Sequence, residues 1–324
     1  MRILFLGSGA FGLPTLKRLG EHHTLVGVVS QPDRPAGRGR VPTPTPVAAW
    51  ATEFLPGIPL LKPERIGEPD VVRSIRTLAG PGFADAWIVI AFGQKLPPRL
   101  LDDIDAFNLH ASLLPRWRGA APIQAAILAG DNTTGNSVIT LADRMDAGQV
   151  LAQSTRPILP SHTAGDLHDL LAADGPELVE SVLRCLASGT RKPEAQDESA
   201  VTLAAKLRKP DGVIDFASSE PCRRRIHAFN PWPAVTVEFR ARPLKLLRAV
   251  SRPAPDTSPR ADAPGVGALL DADSGMVVCR DGTILQLVEV QPDGRSPMPW
   301  PDFARGQRPP LIPGEKFRTP APPC

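Results

Sequence analysis

The segment from Phe107 to Gln124, FNLHASLLPRWRGAAPIQ, holds the densest group of side chains that could do chemistry. Asn108 and His110 lie two residues apart, so on a strand their side chains point to the same face. An amide and an imidazole placed together can donate hydrogen bonds to an oxygen that becomes negative during acyl transfer. Asp146, in the later sequence DRMDAG, could orient the imidazole or accept a proton from an attacking amine. Taken singly, each of the three residues is more often structural.

Apolar runs predict the strands that position these side chains. The runs are Arg2–Leu6, Leu25–Ser30, Trp87–Ala91, Phe107–His110, Ser137–Ala142 and Val150–Thr155. Helical patterns lie at Leu13–Leu19, Val47–Phe54, Asp70–Ala79 and Pro122–Ala129, and at Thr163–Ala173 and Pro176–Ala187, which Gly175 separates. Strands that alternate with helices predict an α/β fold with a mostly parallel, doubly wound, Rossmann-like sheet. Such sheets bind ligands at the carboxyl ends of their strands.

The pattern changes after residue 189. Residues 190–205 have no clear periodicity and predict a linker. The runs Ala234–Phe239, Leu244–Val250, Gly275–Arg280 and Ile284–Val290 predict a small, OB-like antiparallel β-barrel. We interpret the proline-rich stretch PMPWPDFARGQRPPLIPGEKF as irregular. The expected organisation is therefore a catalytic domain at 1–189, a linker at 190–205 and a C-terminal domain at 206–324.

The opening MRILFLGSGAFG contains G-x-G-x-x-G at Gly7–Gly12, the fingerprint of dinucleotide-binding proteins. That fingerprint also needs an acidic residue at the end of the second strand to bind a ribose hydroxyl. Asp33 has the right spacing but lies beyond the strand, in a proline-rich loop. We therefore predict a tight strand-to-helix turn that faces the substrate side of the cleft, and no NAD.

The amino-acid composition limits the classes of protein to which this chain can belong. The chain has 324 residues, 42% of them hydrophobic, and a net charge of +3, which permits a polyanionic partner without requiring one. No apolar run approaches the ~20 residues of a membrane helix. The four cysteines are far apart and form no C-x-x-C motif, so neither a disulfide framework nor a metal site is expected. Because the first strand begins at Arg2, we expect no signal peptide and a cytoplasmic protein.

The block NLHASLLPRWRGAAPIQ at 108–124 resembles the signature of the folate-dependent formyltransferases. Further similar blocks are QPDRPAGRG at 31–39, IAFGQKLP at 90–97, MDAGQVL at 145–151, AQDESAVT at 195–202 and AFNPWP at 228–233. Within the family, QPDRPAGRG and AFNPWP are most similar to the members that act on methionyl-tRNA. The resemblance implies transfer of the formyl group of 10-formyltetrahydrofolate to the α-amine of initiator Met-tRNA. It also implies a catalytic triad of Asn108, His110 and Asp146.

Folate contacts are also implied by the resemblance. They would come from Phe92 and from the turn formed by Ser112, Leu113, Leu114 and Pro115. Phe92 stands where the family usually has tyrosine, and Gln149 stands where an acidic residue is common. Both departures could alter folate contacts or the pH dependence of the reaction.

Basic residues favour tRNA as the partner. Between residues 206 and 248, ten lysines and arginines stand against four aspartates and glutamates, an excess of six. Such a patch can neutralise phosphates. The candidate tRNA contacts are Lys206, Lys209, Arg223 and Arg224 in this domain, and Arg34, Arg38 and Arg40 in the loop at 31–46. In the family, the corresponding loop recognises the weak first base pair of initiator tRNA. The expected partners are this tRNA and folate, with no membrane, and we expect a monomer.

Three alternatives remain. A formyltransferase could act on a different amine, such as a nucleotide sugar or a ribosyl-glycinamide, although the basic C-terminal domain and AFNPWP argue against it. The alternative of an NAD-dependent oxidoreductase is supported only by the G-x-G-x-x-G motif at Gly7–Gly12. A tRNA-binding protein without activity is disfavoured by the intact set of Asn108, His110 and Asp146.

Overall fold

The computed structural model describes residues 1–37, 39–254 and 265–319 of the chain. In chain order, its strands are β1 Arg2–Gly7, β2 Thr24–Val29, β3 Arg34–Ala36, β4 Val41–Thr43, β5 Leu60–Leu61, β6 Ala86–Ile90, β7 Ala106–His110, β8 Arg118–Gly119, β9 Thr133–Thr140, β10 Val150–Pro157, β11 Leu203–Ala204, β12 Val235–Phe239, β13 Arg242–Arg252, β14 Leu269–Asp271, β15 Met276–Val278, β16 Ile284–Pro292, β17 Met298–Pro299 and β18 Phe317–Arg318. Its α-helices are α1 Leu13–His22, α2 Pro46–Phe54, α3 Pro69–Ala79, α4 Pro98–Leu101, α5 Pro122–Ala129, α6 Ala164–Ala187, α7 Ser219–Ala228 and α8 Trp300–Arg305.

The chain divides into two compact units, each made of several segments. Unit 1 comprises residues 1–119, 134–156 and 168–203. Unit 2 comprises residues 120–133, 157–167 and the chain from 204 onward. Across the described parts of the chain, no helix is both long and apolar enough to cross a bilayer.

Unit 1 is built on a seven-stranded sheet in the order β10–β9–β7–β6–β1–β2–β5. β1 runs parallel to β2 and β6, and β6 runs parallel to β7, whereas β9 is antiparallel to β7. All of β6 is buried, as expected for a strand covered on both faces. Trp87, the second residue of β6, donates its indole N–H to the carbonyl of Ala79 at 2.8 Å. The predicted doubly wound sheet is confirmed, with antiparallel pairing added on the β9 side of β7.

Unit 2 contains an antiparallel sheet in the order β14–β15–β16–β13–β12–β18, with β17 paired to β16. The sheet curls into a half-barrel. Along β12, buried and half-buried residues alternate, so that one face of the strand covers the core. Helix α7 packs against β13 and against α5. This confirms the predicted class of a small antiparallel, barrel-like domain.

Gly175 does not separate two helices, because α6 runs unbroken from Ala164 to Ala187 with Pro176 inside it. A Cβ on Gly175 would lie 2.7 Å from Leu109 Cδ2 and 3.0 Å from Thr15 Oγ1. The glycine therefore allows close packing of the helix on the sheet. The prediction of a helix end at this position was wrong.

Two proline-rich segments are more ordered than predicted. The loop at 31–46 contains the antiparallel hairpin β3–β4. The C-terminal stretch contains α8, where Pro301 occupies the first turn and needs no N–H partner. Trp300 is fully buried, and its indole N–H donates to the carbonyl of Ala272 at 2.9 Å. Burial of this side chain outweighs the low helical propensity of its neighbours.

Candidate active site

The carboxyl ends of β1, β6 and β7 meet at one edge of the parallel sheet. Leu6 lies opposite Val89, and Val89 lies opposite Asn108. The turns after these strands therefore begin side by side. The predicted site residues Asn108 and His110 lie on the last three residues of β7, at this edge.

Asp146, the third member of the triad that the family resemblance implies, lies beside His110. His110 Nδ1 is 3.5 Å from Asp146 Oδ2, and the two side chains are only 7% and 13% exposed. The same Oδ2 accepts the backbone N–H of Gly119 at 2.9 Å, which fixes the carboxylate. Asp146 adopts a left-handed backbone conformation with φ 55°. The loop thus turns the carboxylate toward the imidazole.

The other ring nitrogen of His110 also faces a protein acceptor. Its Nε2 lies 2.9 Å from the carbonyl oxygen of Trp117. Because a carbonyl only accepts, Nε2 must carry a proton. In this conformation His110 can reach a substrate oxygen only by exchanging or sharing the Trp117 contact.

Asn108 differs from His110 in its surroundings. Its side chain is half-buried and makes no hydrogen bond to any described residue. A half-buried amide at a strand end retains donors and an acceptor for a ligand. Asn108 is therefore the polar group of the site that remains most available.

The side chains of Ser137 and Gln153 form hydrogen bonds to the main chain of the Ser112–Pro115 turn. Ser137 Oγ donates to the carbonyl of Ser112 at 2.6 Å and accepts from the N–H of Leu114 at 3.0 Å. Gln153 Nε2 donates to the carbonyl of Leu114 at 2.9 Å. Ser112 and Leu114 are buried, whereas Leu113 and Pro115 are half-buried. Of the four folate contacts predicted on this turn, Leu113 and Pro115 are therefore the more accessible.

A segment predicted as linker supports the catalytic loops. Gln196 Nε2 donates to the carbonyls of Asp146 at 2.8 Å and Gly148 at 2.6 Å. Thr202 Oγ1 accepts the N–H of Trp117 at 2.9 Å. We call residues 194–202 the strap. The sequence analysis missed its role, because side chains that bind main-chain groups leave no spacing pattern; its one signal was the block AQDESAVT.

Ion pairs tie the strap to the same loops. Arg118 Nε donates to Gln196 Oε1 at 2.9 Å, and Arg118 Nη2 lies 3.0 Å from Glu198 Oε1. Arg144 Nη2 reaches the same oxygen at 2.9 Å. Hydrogen bonds from Arg118 and then Arg144 hold the pKa of Glu198 below its usual value. Arg118 is buried, so its pairing fixes the turn rather than leaving a surface charge.

Phe92 and the glycine turn at Gly7–Gly12 both lie near the carboxyl edge of the sheet, but their surroundings differ. The Phe92 ring is 2% exposed and packs in the core, so it is poorly placed to contact folate directly. Ser8, within the glycine turn, accepts the N–H of Gln31 at 3.0 Å and donates to the carbonyl of Phe92 at 3.1 Å. This links the turns that follow β1, β2 and β6. Asp33 instead pairs with Lys62 at 2.9 Å.

The arginines of the 31–46 loop have different surroundings. Arg34 pairs with Glu64 at 2.7 Å, and both side chains are more than half exposed. Arg40 is exposed, in a left-handed conformation with φ 52°. Arg38 lies outside the described residues.

In unit 2, two arginines of the predicted basic patch form ion pairs within the protein. Arg223 and Arg224 both pair with Glu220, at 2.6 and 2.8 Å, and Arg223 also donates to the carbonyl of Pro160. The Arg223 side chain is only 11% exposed. Both guanidinium groups already bind partners within the protein, so we leave Arg223 and Arg224 out of the proposed tRNA interface. Lys206 and Lys209 are exposed, and none of the described carboxylates pairs with them.

Within the described ranges, no group of three or more His, Cys, Asp or Glu side chains could hold a metal ion.

Comparison with known proteins gives consistent results. The family model "Formyl transferase" matches residues 1–183, and "Formyl transferase, C-terminal domain" matches residues 206–308. The chain is 38% identical to methionyl-tRNA formyltransferase of Roseiflexus castenholzii, over 98% of this chain and 99% of that protein.

Solved structures share the fold. The sugar 3N-formyl transferase WlaRD matches with TM-score 0.64 and 14% identity, over 91% of this chain and 99% of that one. HypX from Aquifex aeolicus, solved in complex with tetrahydrofolic acid, matches with TM-score 0.58 and 16% identity over 94% of this chain. This chain spans 46% of HypX. On the two family matches and the full-length relative, the chain belongs to the formyltransferase family.

Proposed function

We propose that this protein transfers the formyl group of 10-formyltetrahydrofolate to the α-amino group of methionyl initiator tRNA. The observation that carries the proposal is the group formed by Asn108, His110 and Asp146 at the carboxyl edge of the sheet, with the imidazole next to the carboxylate. The full-length likeness to a methionyl-tRNA formyltransferase supports the choice of substrate. We also propose that it acts as a cytoplasmic monomer.

The residues at the edge fit a formyl donor. Asn108 supplies an amide with no hydrogen-bond partner among the described residues, which suits a carbonyl oxygen. Leu113 and Pro115 supply half-buried apolar surface nearby on the same turn. When bound, 10-formyltetrahydrofolate supplies an activated formyl group on N10. We expect Leu113 and Pro115 to contact the donor, and Phe92 to act through the core.

Each catalytic residue has a distinct task in this proposal. Asn108 donates a hydrogen bond to the formyl oxygen, which becomes negative as the amine attacks. His110 donates from Nε2 to the same oxygen after giving up the Trp117 carbonyl. Asp146 stabilises the cationic ring through Nδ1 and helps to move a proton, directly or through water, from the attacking amine to N10. The bond between the formyl carbon and N10 then breaks, and tetrahydrofolate leaves with that proton on N10. Gly119 keeps the carboxylate in position throughout.

Exposed cations on each unit support a tRNA substrate. Arg34 and Arg40 extend from the 31–46 loop, and Lys206 and Lys209 lie at the start of the C-terminal part of unit 2. Each can contact a phosphate, and the loop arginines can also contact base edges. The runner-up substrate is an amino sugar, because the structural relatives include sugar formyltransferases.

The test is a formyl-transfer assay with labelled 10-formyltetrahydrofolate and three acceptors. These are initiator Met-tRNA, elongator Met-tRNA and a nucleotide-linked amino sugar. We expect strong labelling of the initiator tRNA alone. Labelling of the sugar alone, or equal labelling of both tRNAs, would overturn the proposal. The variant His110→Ala should lower the rate about 10²–10³-fold with tRNA affinity unchanged.

A further inference from the structure

One short segment of unit 1 contacts both members of the His110–Asp146 pair. The carbonyl oxygen of Trp117 lies 2.9 Å from His110 Nε2. Two residues later, the N–H of Gly119 donates to Asp146 Oδ2 at 2.9 Å. We call residues 117–119 the clamp. Because the clamp binds the imidazole at one end and the carboxylate at the other, its conformation sets the distance between them, which is 3.5 Å here.

The backbone of the clamp has a conformation that its residues do not favour. Trp117 has φ 64°, in the left-handed region that residues with a Cβ rarely adopt, and Gly119 has φ 127°. Such conformations persist only where the surrounding structure holds them in place. The clamp must therefore be fixed by contacts with other parts of the chain.

Arg118, the middle residue of the clamp, makes several of these contacts. Its Nε donates to Gln196 Oε1 at 2.9 Å, and its Nη2 lies 3.0 Å from Glu198 Oε1. Its backbone N–H donates to the carbonyl of Thr202 at 3.0 Å. All three partners belong to the strap. The side chain and the main chain of Arg118 thus join the clamp to one segment.

The surroundings of the Arg118 side chain exclude a direct role in chemistry. The side chain is only 5% exposed, and its guanidinium group binds two acceptors within the protein. A planar guanidinium fixes the direction of its hydrogen bonds as well as their length. Arg118 can therefore affect a reaction only through the residues that it holds.

We propose that Arg118 is a positioning residue that fixes the clamp and thereby keeps His110 and Asp146 at the spacing required for formyl transfer. The inference rests on the proposed function, in which the imidazole and the carboxylate act together. It gives the strap a second route to the catalytic pair, besides the hydrogen bonds from Gln196 to the Asp146 loop.

The test compares Arg118→Met and Arg118→Lys with a matched control. Methionine keeps an apolar stem but removes every donor, whereas lysine keeps the charge without the planar group. The control is Arg156→Met, which also removes a paired arginine of unit 1, one that donates to both oxygens of Asp174 at 2.7 and 2.6 Å. Circular dichroism checks that each variant is folded.

Steady-state formylation separates kcat from KM in these variants. We expect Arg118→Met to lower kcat about 10–100-fold with little change in the KM for tRNA, because a small displacement of reacting groups costs rate rather than binding. Arg118→Lys should have an intermediate kcat. Arg156→Met should have the kcat of the wild type.

A second measurement reports on the clamp without any substrate. In protein containing isotope-labelled histidine, NMR follows the exchange of the His110 Nε2 proton with water, and the signal is assigned by its loss in His110→Ala. We expect this exchange to be at least about 10-fold faster in Arg118→Met than in the wild type or Arg156→Met. The reason is that a loosened clamp opens the hydrogen bond to the Trp117 carbonyl more often.

Two results would overturn the inference. One is a folded Arg118→Met variant with the kcat of the wild type. The other is a lowered kcat with unchanged exchange of the His110 proton, since Arg118 would then not act through the clamp. If Arg118→Met does not fold, Arg118→Lys decides by the same two criteria. The exchange measurement needs no acceptor, so it tests the clamp even if the wild-type protein formylates an amine other than Met-tRNA.

Discussion

Gln196 binds the main chain on both sides of the Asp146 loop, through hydrogen bonds to the carbonyls of Asp146 and Gly148. The carboxylate beside His110 is therefore positioned by a residue about fifty positions further along the chain. Active sites depend on such supports, because a displacement of about 1 Å can cost about 10²-fold in rate.

Replacing Gln196 tests that support. In Gln196→Ala the loop loses both hydrogen bonds, and we expect kcat to fall about 10–100-fold with little change in the affinity for tRNA. Steady-state kinetics with varied tRNA separates kcat from KM. The control is Gln286→Ala, which removes an equal side chain from unit 2. A fall in tRNA affinity with kcat unchanged would contradict a positioning role.

The charge of Asp146 can be removed without changing its size. In Asp146→Asn an amide oxygen can still accept the N–H of Gly119, but the negative charge beside His110 is lost. We expect kcat to fall about 10²–10⁴-fold, the range for general acid–base groups. Asp143→Asn, on the same loop and exposed, should stay near wild type. Equal rates in the two variants would remove Asp146 from the mechanism.

Gly148 has no space for a side chain. A Cβ there would lie 1.6 Å from the carbonyl oxygen of Thr140. We expect Gly148→Ala to lower the free energy of unfolding by about 2–4 kcal/mol, the scale of severe core disruption. Urea denaturation measures the change. The control Gly57→Ala meets nothing within 4 Å and should be close to neutral; a Gly148→Ala variant as stable as this control would contradict the close approach of Gly148 to Thr140.

Replacing Arg40 tests whether the 31–46 loop recognises initiator tRNA. Its side chain is exposed, whereas Arg34 is paired with Glu64. We expect Arg40→Ala to raise KM for initiator tRNA several-fold and to reduce the preference over elongator tRNA. Parallel assays with the two tRNAs measure the ratio. Arg73→Ala, an exposed arginine of α3, is the control, and an unchanged ratio in Arg40→Ala would exclude this residue from recognition.

His227 makes the stability of unit 2 depend on pH. Burial first, and then the charges of Arg223 and Arg248, lower the pKa of His227 to about 4, against 6.5 unperturbed. Between these values the unfolded chain binds a proton that the native state does not. Stability is therefore complete above pH 6.5 and is lost as pH falls toward 4, by on the order of 3 kcal/mol.

The measurement is urea unfolding at about pH 7 and pH 4 for the wild type and His227→Gln. A Gln oxygen can replace Nε2 as the acceptor of the Ala249 N–H, which lies 3.1 Å away. The variant should lose less stability than the wild type over this interval. Equal losses would assign the acid sensitivity to other groups.

The sequence predicted those features that arise from local pattern. The continuous apolar run of β6 and the alternation in β7 placed Asn108 and His110 at a strand end, and α5 was predicted with the bounds it has in the structure. The pairing of His110 with Asp146 came from the family resemblance. It could not be derived from spacing, because the two residues belong to separate loops that meet only in the fold.

Counting charges along the sequence left out ion pairs within the protein. Glu220 stands three and four positions before Arg223 and Arg224 on α7, the spacing at which helical side chains meet, and it pairs with both. Gly175 was misread because a glycine needed for close packing looks the same in sequence as one that ends a helix. The strap was missed because its contacts with main-chain groups of distant loops leave no spacing pattern in the sequence.

The packing of α5 against α7 has a consequence for attempts to exchange parts between relatives. Both helices belong to unit 2, but α5 precedes the strap in the chain and α7 follows it. The space beside Gly130, at the end of α5, is occupied by the guanidinium of Arg224 on α7, 2.1 Å from where a Cβ would lie. A chimera joined at residue 203 therefore takes the two halves of this contact from different parents. It keeps this contact only when one parent supplies a glycine at position 130 and the other an arginine at position 224, because a side chain at position 130 would displace the guanidinium.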